Sequence, residues 1–196
     1  MTGILVVCTA NICRSPVAAA ILADALSPAG IAVTSAGTHA VDGAAAAEQS
    51  RAYLRARLGA RAGADADHRS HRLTRGMTTR ADLLLTMTSA QRHWVSTEDP
   101  RTVRRSFTLR ELSSLAPELA PDARFADLRG FAQACARLRS RIRRAPEELD
   151  VADPYGGAPA QYERSFDQIA EACTVIARSL TVHVAAAPGP EAGDDP

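Results

Sequence analysis

The stretch that most constrains this chain is Ile4-Leu5-Val6-Val7-Cys8-Thr9-Ala10-Asn11-Ile12-Cys13-Arg14-Ser15-Pro16. It begins as an apolar, β-branched run, which reads as a buried strand ending at Cys8. Ser15-Pro16 opens an alanine- and leucine-rich segment, and a proline in the first helical turn gives up an N–H that the helix does not need. The order is therefore strand, loop, helix N-terminus. Backbone N–H groups of such a loop and the positive end of the helix converge on one point, which suits an anion. A cysteine at that point has its thiolate stabilised. Arg14 adds a planar fork that matches a phosphate bidentately. A cysteine closing a buried strand is otherwise an inert small hydrophobe. The company of Asn11, Arg14, Ser15 and Pro16 is what makes Cys8 a candidate nucleophile inside an oxyanion cradle of Thr9, Ala10, Asn11, Ile12, Cys13 and Arg14.

Composition narrows the setting. A length of 196 residues with 46% hydrophobic and 23% charged residues suits one globular domain. Aromatic content is only 4%, so the core is expected to be aliphatic. The net charge of +1 gives no electrostatic case for nucleic acid or an anionic membrane surface. No apolar run reaches transmembrane length, and Met1-Thr2-Gly3 lacks the basic start of a signal peptide. The expectation is a cytoplasmic location, where the four cysteines stay thiols.

Along the chain, Val17, Ile21, Leu22 and Leu26 repeat at helical spacing, and Ile31 to Gly37 reads as a second strand. Strand, helix and strand in so short a span make a βαβ unit and a parallel sheet, with the ligand at the carboxyl ends of the strands. Gly43 to Arg61 reads as a helix, Ala81 to Thr88 as a buried third strand, and Thr88 or Ser89 as the cap of a helix through Val95. Val103 to Thr108 is expected to form an edge strand. Leu109 to Leu119 and Asp122 to Arg144 read as helices, the second carrying Arg137, Arg139, Arg141, Arg143 and Arg144, which read as a solvated face or, alternatively, as a dock for an acidic partner or polyphosphate. Val151 to Gly157 is a loop, Pro159 to Val184 a final helix, and 187–196 a disordered tail. The fold expected is α/β, three-layered, with a four-stranded parallel sheet flanked by helices in a single domain over residues 1–186.

The stretch Val7-Cys8-Thr9-Ala10-Asn11-Ile12-Cys13-Arg14-Ser15-Pro16 resembles the signature loop of low-molecular-weight protein tyrosine phosphatases. Ser35-Ala36-Gly37-Thr38 and the turn His68 to Thr74 resemble further landmarks of that family. So does Asp153-Pro154-Tyr155, which is similar to its general-acid loop. The resemblance implies catalysis by Cys8, Arg14 and Asp153, with a phosphocysteine intermediate and no metal or other cofactor. It implies that Asn11 holds the loop in shape, with Ser35 and His68 as its partners, and that Ser15 donates to the thiolate. Ile12 and Tyr155 would wall an aryl ring, and Cys13 would protect Cys8 from over-oxidation by a reversible disulfide. It also makes the region of about 109–146 a helical insertion before the acid loop. His71 stands where the family pattern has arginine, and His39 to Asp42 offers no large aromatic residue after the second strand.

The substrate implied is a phosphotyrosyl protein or a small aryl phosphate, with no nucleic-acid or membrane partner; the oligomeric state stays open. Two other functions compete. One is the arsenate reductase of the same fold, which needs a relay of two further cysteines. Cys135 and Cys173 fall on apolar stripes of separate helices and are expected in the core. The other is a non-catalytic phosphate-binding protein, which would have no use for an acid facing a nucleophile.

Overall fold

The computed structural model describes residues 3–59 and 68–184. The tail at 187–196 and the end of the stretch 43–61 lie outside the described residues. Four strands, β1 (Gly3–Cys8), β2 (Ala32–Gly37), β3 (Leu83–Thr86) and β4 (Ser106–Thr108), form one sheet in the order β2-β1-β3-β4. Every neighbouring pair is parallel. The chain moves outward from β1 in both directions, so the strand order reverses at β1. A ligand crevice belongs at such a switch point, at the carboxyl ends of the strands. Cys8 is the last residue of β1 and pairs with Gly37, the last of β2.

Alternation along the strands sends side chains to two faces. Ile4, Val6, Leu83 and Leu85 join the larger core with α1 (Arg14–Leu26), α5 (Leu109–Leu115), α6 (Leu128–Arg137) and α7 (Pro159–His183). Leu5, Val7 and Leu84 face the other way, with residues of α4 (Ser89–Glu98) and the approach to β3. Both faces of the sheet are covered, which explains why β1 and β3 read as continuous apolar runs. The two remaining helices, α2 (Glu48–Leu58) and α3 (Arg75–Arg80), complete the outer layers.

Two helical expectations are corrected. The segment 43–47 is not helical: it leaves a turn at Gly43, whose φ is 84°, and is tied to its surroundings. The Ala44 N–H donates to Ser70 Oγ at 3.0 Å and the Ala47 N–H to the Ile12 carbonyl at 2.8 Å. Helix α2 therefore starts only at Glu48. The helix expected over 122–144 is confined to Leu128–Arg137. Asp127 caps its start, accepting from the Gly130 N–H at 2.8 Å. Phe125 keeps the apolar spacing but sits in extended backbone, its N–H donating to the His183 carbonyl. Nor is the arginine cluster a solvated helix face throughout. Arg139 turns inward, donates to Glu111 at 2.8 Å and to the carbonyls of Val103 and Ser106, and lies 4.3 Å over the Phe107 ring.

Candidate active site

The turn from β1 into α1 wraps around the Cys8 sulfur. The Asn11 N–H donates to Sγ at 3.2 Å, and Ser15 Oγ lies 3.0 Å from it. Asn11 is the only described non-glycine residue with positive φ, at 56°. Asparagine tolerates this left-handed conformation better than most residues. The curl of the loop there is what turns the Asn11 N–H inward.

Asn11 is fully buried, and its partners settle the polarity of the whole network. Its Oδ1 accepts from the His71 N–H at 2.9 Å, which fixes the orientation of the amide. Its Nδ2 then donates to both Ser15 Oγ and Ser35 Oγ, at 2.9 Å each. Ser15 Oγ thus accepts from Asn11 and has its own proton to give. Its nearest acceptor is Cys8 Sγ, at 3.0 Å, against 3.5 Å to the Ala36 carbonyl. The sulfur therefore receives two donors, one from the backbone and one from Ser15. His68 Nε2 lies 2.8 Å from the Asn11 carbonyl, an acceptor, so that nitrogen carries the proton. The side chain of His71 takes no part in this, because its backbone N–H makes the bond, and the departure from arginine there leaves the loop intact.

Gly37 allows the loop to lie so close to β2. A Cβ there would sit 2.5 Å from the Thr9 carbonyl oxygen and 2.9 Å from the Asn11 nitrogen. Only glycine fits that approach.

Arg14 opens α1 and is 3% exposed. One Nη donates to the Val151 carbonyl at 3.0 Å, the other is ion-paired with Asp153, and the buried Nε has no partner among the described residues. Asp153 arrives on a loop pinned from several sides. The Val151 N–H donates to the Met87 carbonyl at 2.8 Å. Both Asp150 carboxylate oxygens accept from Ser89, one from its N–H at 2.7 Å and one from its hydroxyl at 3.2 Å. Ser165 Oγ donates to the Ala152 carbonyl at 3.0 Å. The Asp153 side chain remains about half exposed, and its Oδ1 accepts from the Tyr155 N–H. Tyr155 itself is 68% exposed.

The two cysteines of the loop differ. Burial pushes the Cys13 thiol up to about 11, with the nearby Asp153 and Cys8 acting in the same direction. Cys135 and Cys173 are fully buried. Burial raises both thiols, Cys135 to about 12. They lie in the core, as their spacing suggested. Among the described residues no group of three His, Cys, Asp or Glu side chains could hold a metal ion, and no helix is long and apolar enough to cross a membrane.

Thr9 and Arg14 of the loop and Asp153 line one cleft of about 480 Å3, whose lining includes neither Ile12 nor Tyr155 but does include Thr38, His39, Thr88, Gln91 and Trp94, which the sequence did not mark as site residues. Thr88 caps α4, and Thr88, Gln91 and Trp94 recur every three residues on its cleft side. Gln91 Nε2 donates to Thr9 Oγ1 at 3.0 Å, tying α4 to the cradle. The signal for these residues was positional: α4 begins at the carboxyl end of β3, which borders the crevice.

The chain is similar to known proteins in sequence and in fold. The sequence model of the family described as low molecular weight phosphotyrosine protein phosphatase matches residues 3–144. A protein of Ralstonia nicotianae named "Probable low molecular weight protein-tyrosine-phosphatase EpsP" is 30% identical over 167 residues, 85% of this chain and 87% of that one. A protein-arginine-phosphatase of Geobacillus stearothermophilus is 28% identical over 90% of this chain and 95% of its own. The solved structure of the YwlE arginine phosphatase from the same organism superposes with a TM-score of 0.68 at 28% identity, covering 92% of this chain and 94% of that one. With a matched profile that spans the cradle and the whole sheet, the chain belongs to the low molecular weight phosphotyrosine protein phosphatase family.

Proposed function

We propose that the chain hydrolyses aryl phosphate monoesters, phosphotyrosine among them, through a phosphocysteine on Cys8. One observation carries this reading. A sulfur holding two hydrogen-bond donors shares a loop with a buried arginine whose Nε has no partner among the described residues, and that arginine and the carboxylate paired with it line one cleft. The Cys8 sulfur attacks phosphorus while N–H groups of residues 9–14 and the Arg14 guanidinium hold the three equatorial oxygens. As the P–S bond forms and the P–O bond breaks, Asp153 gives its proton to the leaving oxygen. Asp153 then takes a proton from water, which attacks phosphorus and releases phosphate and the Cys8 thiolate. Asn11, with Ser35 and His68, keeps the loop in shape, and Ser15 supports the sulfur. Ile12 on the loop and Tyr155 beside the acid would wall the phosphorylated ring. A phosphotyrosyl protein and a small aryl phosphate both suit this site.

A second reading, phosphoarginine as substrate, draws on the two carboxylates in the cleft, Asp150 and Asp153, which could face a guanidinium. Ser89 engages both oxygens of Asp150, which favours the aryl ester. An arsenate reductase would need relay thiols at the cleft, and Cys135 and Cys173 are sealed in the core. Initial rates on matched phosphotyrosyl and phosphoarginyl peptides decide between these. Faster release from phosphotyrosine is expected. Equal or faster release from phosphoarginine replaces the aryl reading, and arsenate-dependent thiol oxidation without phosphate release replaces both.

Cys13 is the resolving thiol in this scheme. Peroxide converts the Cys8 thiolate to a sulfenic acid, the Cys13 thiol displaces water from it, and the resulting disulfide is reducible. Activity lost to peroxide should return with dithiothreitol in the wild type but not in Cys13→Ala; equal recovery in the two removes that role.

A further inference from the structure

Trp94 is the only tryptophan of the chain, and it stands in the wall of the catalytic cleft. Its ring centroid is 6.2 Å from that of His39, and the two planes are tilted by 51°. Neither ring is loose. Trp94 packs against the apolar cluster of Leu5, Val7, Leu84 and Val95 on the sheet, yet it is only partly buried. The His39 Nδ1 lies 2.9 Å from the hydroxyl of the buried Thr38. The pair comes from two elements far apart in sequence, the exit of β2 and the second turn of α4, and lies in the same cleft as Arg14 and Asp153.

The cleft is larger than its chemistry requires. At about 480 Å3 it falls in the range that holds a drug-sized ligand, about 300–1,000 Å3. With Ile12 and Tyr155 proposed to wall the phosphorylated ring, the His39–Trp94 side of the cleft is left for another group. Two tilted rings with an accessible indole face are suited to a third ring, which can lie offset on one and edge-on to the other. Both are held by packing or a hydrogen bond, so little side-chain freedom is lost on contact.

We propose that His39 and Trp94 form a second aromatic subsite, which takes a ring of the substrate beyond the one that carries the phosphate. The substrate class is then an aryl phosphate with two fused or linked rings, or a phosphotyrosine with an aromatic residue beside it. This rests on the aryl phosphatase reading above.

The experiment has a kinetic arm and a binding arm. In the first, kcat/KM is compared for phenyl phosphate against 2-naphthyl phosphate, and for a phosphotyrosyl peptide with phenylalanine against alanine next to the phosphotyrosine. The expected preference for the second ring is about fivefold to tenfold, the effect of one aromatic pair. The small-molecule pair and the peptide pair separate the two sources of that ring. Trp94→Ala and, on the exposed side of the pair, His39→Ala should bring the ratio close to one, and Trp94→Phe should restore it. In the binding arm, Trp94 fluorescence of the Cys8→Ser protein is followed on adding phenylphosphonate, 4-biphenylphosphonate or inorganic phosphate. A change with the two-ring ligand that is absent with inorganic phosphate is expected. Hydrolysis with no preference in either pair, or a ratio that Trp94→Ala and His39→Ala leave unchanged, overturns the subsite alone. No hydrolysis by the wild type, with the fluorescence change present, overturns the phosphatase reading and keeps the subsite. Fluorescence indifferent to the second ring overturns the subsite whatever the kinetics show.

Discussion

Cys8→Ser abolishes phosphate release, lowering kcat by about 10^6, the scale on which an enzyme loses its covalent nucleophile. The hydroxyl that replaces the thiol still receives the Asn11 N–H and Ser15, but a serine alkoxide is far harder to form than a thiolate, and no base stands beside it. Binding should survive, because the cradle is built of backbone N–H groups and Arg14 rather than of the sulfur. The matching Cys13→Ser protein keeps turnover. The Cys13 thiol, pushed up to about 11 by burial and by its acidic neighbours, is protonated near neutral pH and is not the attacking group. Steady-state phosphate release and acid-quench mass spectrometry of a phosphorylated cysteine peptide check both statements. Turnover that persists in Cys8→Ser and disappears in Cys13→Ser would reverse the assignment.

The parts of this site legible from sequence are those fixed by local geometry. Strand, loop and helix N-terminus are contiguous in Ile4 to Pro16, so the cradle could be read from one stretch. The parallel sheet followed from two strand-like runs joined by a helix, and the four strands observed lie at the four stretches read as strands. What escaped was set by tertiary contact. Phe125 keeps helical spacing with Phe131 but is held extended by a bond to the end of α7, which periodicity cannot register. Arg139 looked like one of five solvated cations, and a buried Glu111 with two carbonyls drew it in. Trp94 and His39 meet across the cleft through the sheet register alone. The absence of a large aromatic after β2 suggested a mouth without that wall. Helix α4 nevertheless brings one aromatic ring, Trp94, into the lining of the cleft.

Asp153→Ala separates two roles that one carboxylate combines. In the general-acid role proposed for it, Asp153 is expected to account for a factor of about 10^2 to 10^4 in kcat on a poor leaving group such as phenolate. The loss should be much smaller on 2,4-dinitrophenyl phosphate, whose leaving group departs without a proton. Asp153 also competes with the substrate, because in the free protein its carboxylate is ion-paired with the guanidinium that has to hold the phosphate. Arriving phosphate oxygens take Arg14 from it. Arg14 is buried, but the Asp153 side of the pair is about half exposed and screened by solvent, so the pair is worth about 1 kcal/mol. Its removal should strengthen inhibition by inorganic phosphate by roughly twofold to fivefold, the fold-change that energy permits. The variant thus loses kcat while its Ki for phosphate falls. Asp153→Asn, which keeps a hydrogen-bond acceptor for Arg14 but no charge, should lose as much kcat and show a smaller gain in phosphate affinity. Kinetics on the two esters with phosphate as competitor measure all of this. Equal losses on both esters would remove Asp153 from the proton transfer, and an unchanged or weaker phosphate affinity would show that its contact with Arg14 does not compete with the ligand.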